Sequence, residues 1–239
     1  MRGGHIRRPW RVSLAPHPDP LPASPRAGWG RDERCRPALE AIAARYPGRL
    51  AVHYGDALHA DWGAVAAGSG AKPVIAANLP YNIATLLLVG WLESEPWPPW
   101  YGRMVLMFQK EVAERIVAAP GVKAYGRLAA IAQWRTKARL LFTVKPEAFT
   151  PPPTVSSAIV ELTPIERPSP TCSVKMLGAV TAAAFGQRRK MLRQSLKALT
   201  AEPEALLGAA GIAPTLRGEA LSVADFARLA YVLERLPRR

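Results

Sequence analysis

Within four residues, Asn78-Leu79-Pro80-Tyr81, the chain brings together an amide, a rigid ring and a phenol. Asn78 offers a side-chain carbonyl and Pro80 fixes the backbone, so two oxygens can accept both hydrogens of an exocyclic amine. Tyr81 then supplies an aromatic face for a flat base. An amine held that way, its lone pair forced out of conjugation, can attack a methyl group. The same residues also suit an ordinary strand-to-helix turn, with Asn82 as N-cap and Tyr81 in the core. Residue types alone leave both readings open.

Three further groups carry possible chemistry. Asp56 follows Gly55 at the end of the strand-like run Leu50-Ala51-Val52-His53-Tyr54, where a plain Gly-Asp turn is the competing reading. Phe149 precedes Pro151, Pro152 and Pro153, which stiffen the chain enough to hold a ring out from a sheet, although a core plug between strands would look the same. Arg189, Arg193 and Lys197 recur every fourth residue, flanked by Arg188 and Lys190, as a basic ridge for RNA phosphate or as a solvated helix face. His5, His17, His53 and His59 stand in no metal-ligand spacing with Cys or acidic residues, and no catalytic triad is apparent.

Asn78 to Tyr81, together with Glu147-Ala148-Phe149-Thr150-Pro151-Pro152-Pro153 and Phe185-Gly186-Gln187-Arg188-Arg189-Lys190, resembles the bacterial ribosomal RNA adenine N6,N6-dimethyltransferases. The resemblance runs from about Asp32 to the C-terminus. It implies S-adenosylmethionine as cofactor and adenines of small-subunit ribosomal RNA as substrate. It also implies a catalytic set of Asn78, Leu79, Pro80, Tyr81 and Phe149, with Tyr81 and Phe149 sandwiching the target base. Asp56 would receive the adenine amine of the cofactor, beside Asn78, while Arg188, Arg189, Lys190, Arg193 and Lys197 would meet RNA.

The elements that must position these residues follow from periodicity. Val74 to Ala77 reads as a buried strand and Ile83 to Leu92 as a helix, which places Asn78 at a strand's carboxyl end, where open α/β sheets bind ligands. Strands are expected at Met104–Phe108, Ala138–Val144 and Val155–Leu162, and helices at 38–46, at 109–116 and from after Leu128 to Trp134, with a Glu111–Arg115 pair on the second. Pro96-Trp97-Pro98-Pro99-Trp100 reads as a stiff loop whose tryptophans suit packing against the neighbouring sheet, with stacking on bases as the competing reading. After a linker at Pro164–Pro170 only helices are expected, at 174–199, 203–210 and 222–233.

Residues 1–31 differ from the rest. Six prolines stand among arginines with no strand-like apolar run, which predicts disorder. The family's glycine-rich loop and ribose-binding acid belong here, yet only Gly3-Gly4 and Gly28-Trp29-Gly30 offer glycines, and neither follows such a run. The compositional break near Asp32 implies an out-of-frame or wrongly started segment, weak cofactor binding and incomplete folding. The expected organisation is therefore an aberrant segment at 1–31, a class I, Rossmann-like α/β methyltransferase domain at 32–165 lacking its first strands, and an all-helical RNA-binding domain at 166–239.

Charge agrees with a nucleic-acid partner: 32 Lys and Arg against 18 Asp and Glu give +14. No apolar run is long enough to span a bilayer. Two cysteines make no disulfide framework, so a monomer in a reducing cytoplasm is the simplest setting. Two alternatives share these features: a non-catalytic RNA-binding or ribosome-assembly factor on the same fold, and a large-subunit enzyme of antibiotic-resistance type.

Overall fold

Strand β3 (Val74–Asn78) forms because four apolar residues precede Asn78, and it pairs in parallel with β4 (Arg103–Gln109). The computed structural model describes residues 10–13, 35–48, 50–66 and 72–236. In chain order its elements begin with β1 (Trp10–Ser13), α1 (Arg36–Arg45), β2 (Leu50–His53) and α2 (Trp62–Ala66). After β3 come α3 (Tyr81–Glu93), β4, α4 (Lys110–Val117), α5 (Arg127–Arg135), β5 (Thr136–Val144) and β6 (Ser157–Pro164). The carboxyl-terminal part holds α6 (Val174–Gly186), α7 (Leu192–Ser195), α8 (Pro203–Ala209) and α9 (Val223–Arg235).

The main sheet has the order β3-β4-β6-β5, with β6 antiparallel to both its neighbours. β4 buries Met104, Leu106, Met107 and Phe108, so both its faces are covered, as its unbroken apolar run predicts. Val144 and Ser157 pair at one end of the β5–β6 ladder, where Gln109 also meets Ser157. That end is the carboxyl end of β3 and β4.

The segment before Asp32 departs from expectation in one place. Trp10–Ser13 forms a strand and pairs in parallel with Leu50–His53 as a separate two-stranded sheet. A Trp and a Val in alternation within four residues make too short a signal to read without its partner. The remaining residues of the 1–31 reading, with Gly3-Gly4 and Gly28-Trp29-Gly30, lie outside the described residues.

A sheet short of its first strands leaves β3 with one partner, and among the described residues β4 is that partner. Val74, an apolar strand residue, is consequently 53% exposed. α1 has the predicted apolar positions, yet none of its residues is buried, and Ile42 remains half exposed.

Two hydrophobic cores meet at α5. Leu128, Ile131 and Ala132 join the core of the main sheet, while Ala129, Ala130 and Trp134 join the core built from α6 to α9. The linker after β6 is tied to this junction: Ile165 donates its backbone N–H to Arg135 at 2.8 Å and accepts from Trp97 at 2.7 Å. Trp134 likewise donates to Pro170 at 3.2 Å. Two local expectations are corrected. The ion pair on α4 is Lys110–Glu114, at 3.8 Å, in place of Glu111–Arg115. The single helix expected over 174–199 is broken after Gly186 and resumes at Leu192.

Candidate active site

Asn78 ends β3 opposite Met107 and is exposed, while Leu79 and Pro80 directly after it are buried. The turn is thus anchored from below with the amide left at the surface of the sheet's carboxyl end. Pro80 lies at φ −57°, ψ 132°, and its carbonyl accepts from Ile83 at 3.1 Å and Ala84 at 3.0 Å. It thereby satisfies the orphan donor of Ile83 and accepts the first regular intrahelical bond of α3, from Ala84. Asn82, the N-cap in the competing turn reading, lies inside the helix, because Pro80 takes the cap position.

Tyr81 opens α3, and its hydroxyl lies 2.7 Å from the hydroxyl of Ser157 at the start of β6. Ser157 is fully buried. The bond spans 76 positions in sequence and ties the turn after β3 to the strand that follows the proline loop. Phe149 lies in that loop, half-buried, its backbone N–H donating to Pro146 at 3.0 Å at the end of a short 3₁₀ turn. The loop is held at its far side where Ser156 accepts from Lys110 at 2.9 Å. Asn78, Tyr81, Ser157 and the Phe149 loop therefore share one end of the sheet.

Asp56 stands after β2, on the other sheet. One carboxylate oxygen accepts from the Leu58 N–H at 2.9 Å and the other lies 3.0 Å from His59 Nδ1. The Leu58 hydrogen bond, and then His59, holds this carboxyl below its ordinary value, so it stays ionised as an acceptor. Both contacts are made within its own turn, and each oxygen keeps capacity for a second donor. That chemistry fits the amine of an adenine. Among the described residues, glycines of positive φ are Gly48, Gly55, Gly121 and Gly211, none in a glycine-rich turn that would cradle the rest of a nucleoside cofactor.

The five basic residues part company. Arg188 is half-buried, donating to Glu219 at 3.0 Å and to the Lys123 carbonyl at 2.8 Å, which makes it a brace between the helices and the α4–α5 loop. Arg193 lies 3.9 Å from Glu204, a loose surface pair. Arg189, Lys190 and Lys197 are exposed. The break between α6 and α7 removes the continuous ridge expected from fourfold spacing, because the amides of Leu192 and Arg193 bond to Leu216 and Pro214.

Sequence reasoning missed Ser157 and the brace formed by Arg188. Ser157 opens a strand that also carries Glu161 and Thr163, so no local pattern singled it out. The acceptors of Arg188 lie 31 and 65 positions away, beyond any local pattern.

A sequence model of a family described as ribosomal RNA adenine dimethylase matches residues 38–235. The chain is 57% identical over 206 residues to ribosomal RNA small subunit methyltransferase A of Xanthobacter autotrophicus, covering 86% of this chain and 70% of that protein. It is 59% identical over 202 residues to the protein of that name from Mesorhizobium japonicum, covering 83% and 71%. A dimethyladenosine transferase from Plasmodium falciparum has a similar fold, with a TM-score of 0.67 at 24% identity over 83% of this chain and 78% of that one. The 23S rRNA methyltransferase ErmE superposes with a TM-score of 0.60 at 20% identity, covering 85% and 80%.

Proposed function

Since the chain belongs to the ribosomal RNA adenine dimethylase family, we infer that its work is the dimethylation of adenine N6 in small-subunit ribosomal RNA, with S-adenosylmethionine as methyl donor. The observation that carries this reading is the turn at Asn78: an exposed amide on a buried Leu-Pro anchor, beside a tyrosine braced to Ser157. When bound, S-adenosylmethionine supplies an electrophilic methyl on a sulfonium. The chain's own residues hold the amine. Asn78 accepts one N6 hydrogen through its side-chain oxygen. Pro80's carbonyl is committed to α3, so the second acceptor is the carbonyl of Leu79, fixed in direction by the ring that follows.

Tyr81 and Phe149 stack on the base, which must leave its helix or be single-stranded to reach the site. Catalysis rests on positioning and on acceptors aimed at the amine as it gains positive charge, with its proton released to solvent. Asp56 takes the adenine amine of the cofactor. Arg189, Lys190 and Lys197 contact RNA phosphates, in keeping with a net charge of +14. No helix of the described residues is long and apolar enough to cross a membrane, and the reading is of a monomer working on RNA in the cytoplasm.

The test is transfer of labelled methyl from S-adenosylmethionine to small-subunit RNA, with the product digested to nucleosides. N6,N6-dimethyladenosine that disappears with Asn78→Ala supports the reading. RNA binding that is salt-sensitive but brings no label would assign the chain to ribosome assembly instead.

A further inference from the structure

Between Leu140 and Phe142 the β5–β6 ladder slips by one residue, Leu141 being the extra one. Before the slip, Ala138 and Leu140 pair with Leu162 and Val160 and pack on the core of the main sheet, while Arg139 pairs with Glu161 on the opposite face. Unbroken alternation would send Phe142 to the core side with Leu140. The bulge reverses the phase, so Phe142 pairs with Ile159 and emerges on the same face as Arg139. It is 57% exposed there.

This outer face runs without a break to the Asn78 turn. Phe142, Ile159, Met107 and Asn78 stand on one rung across β5, β6, β4 and β3. Strands about 4.8 Å apart put roughly 14 Å between the two ends of the rung. Ile159 is half-buried, and Met107, although buried, joins neither hydrophobic core. The next rungs are basic. Glu161 engages Nε of Arg139 and Nη1 of Arg103, both more than half exposed, so the other nitrogens of each guanidinium remain for an anion. Lys137, exposed beyond Arg139 on the same face, has no ion pair among the described residues. Three cations thus share one carboxylate beside an exposed ring.

We propose that this face carries the single-stranded RNA next to the target adenine, with a base stacked on Phe142 and phosphates on Arg139, Arg103 and Lys137. A single strand brings flat bases and negative charge together, which are the two things this surface is made to meet. The placement rests on the reading of Asn78 as the turn that holds the adenine, since RNA seated there lies at the other end of the Phe142 rung. Exposed aromatics on a four-stranded sheet hold unpaired RNA in this manner. A duplex offers no free base face to Phe142, so the surface selects RNA that is already open beside its target.

The test uses the full chain and oligouridylate, which has no adenine to be methylated, so its binding is read separately from methyl transfer. Phe142→Ala should weaken that binding about 5- to 150-fold with the unfolding midpoint in place. Phe142→Tyr should retain it, and Phe142→Leu, which keeps apolar bulk without a ring, should behave as Phe142→Ala. Lys137→Gln should lower the salt slope by about 0.7, the share of one phosphate on a single strand. Oligouridylate carrying 4-thiouridine, irradiated with the chain, should crosslink to the peptide that contains Phe142. Wild-type affinity in Phe142→Ala or Phe142→Leu, or crosslinks confined to 188–197, would overturn the proposal. So would a dimer of the chain that Phe142→Lys dissolves with oligouridylate binding unchanged, which would give the face to a second copy. The predicted losses in a chain that forms no N6,N6-dimethyladenosine would uphold the surface and refute the methyl-transfer reading instead.

Discussion

Tyr81 serves two purposes that substitution can separate. Its hydroxyl bonds the buried Ser157, and in the function proposed above its ring stacks on the base. Tyr81→Phe keeps the ring and strands one hydroxyl, so stability should fall by about 1 kcal/mol with methyl transfer largely kept. Tyr81→Ala removes a stacking partner worth roughly 1–3 kcal/mol per base, so kcat/KM on RNA should fall roughly 5- to 150-fold. Chemical unfolding and initial-rate assays on both variants check this. If Tyr81→Phe lost as much activity as Tyr81→Ala, the hydroxyl would matter to the chemistry and stacking alone would be the wrong account. The amide and the aromatic were legible in the sequence because they stand within one four-residue stretch, Asn78 to Tyr81. Ser157 was not, since nothing local marks a partner on another strand.

Glu161 offers a second test, in pH. It is nearly buried on β6 and is gripped by Arg139 on β5 and Arg103 on β4. These two guanidiniums, Arg139 first, lower its carboxyl pKa from the ordinary 4.5. The folded value is below the unfolded one, so the stabilisation is present above pH 4.5 and is lost as pH falls through the folded value. The wild-type unfolding midpoint should drop on acidification below that point, and Glu161→Gln should flatten this part of the profile. Midpoints measured from about pH 7 down to about pH 3 decide it.

Among the elements, helices and strands with long periodic patterns were readable and breaks decided by distant partners were not. The apolar positions Phe185, Leu192, Leu196 and Leu199 suit one helix, but Gly186 and Gln187 end α6 and the 213–216 loop takes up the amides that open α7. The basic residues consequently divide by function. Arg189→Gln and Lys190→Gln should each weaken RNA binding and lower the salt slope by about one for every phosphate no longer neutralised, without altering stability. Arg188→Gln should lower stability, because Glu219 and the Lys123 carbonyl lose their donor. Binding isotherms at several salt concentrations, beside denaturation, separate the two.

Arg135 shows the same logic at the end of α3. It is 3% exposed, donates to the carbonyls of Leu92 and Ser94 at 2.7 and 3.0 Å, pairs with Glu95, and lies over the ring of Trp97. It satisfies carbonyls that a helix end leaves without partners, and it fixes the start of β5 to them. Arg135→Met should therefore cost about 2–4 kcal/mol in denaturant unfolding, by a shift in midpoint with little change in slope.

For the molecule as a whole, the sequence showed a main sheet with a helical partner, and it showed where the family's cofactor loop ought to be. What it hid was how the parts join: α5 divides its faces between two cores, and β1 pairs with β2. Cofactor affinity turns on this second pairing. A strand followed by Leu14-Ala15-Pro16 gives no glycine turn for a nucleoside to approach, and the helix and strand that carry the approach to Asp56 bury little, α1 having no buried residue. Regions that bury little apolar surface open locally at low free-energy cost. Amides of α1 and β2 should hence exchange with deuterium much faster than those of β4 and β6. Titration with S-adenosylmethionine should show binding weaker than micromolar, with partial protection at Asp56 to Leu58 near saturation. Micromolar affinity, or α1 protected as well as β4, would mean that the two-stranded sheet supports the cofactor as firmly as a complete one. The glycine loop would then be dispensable to this fold.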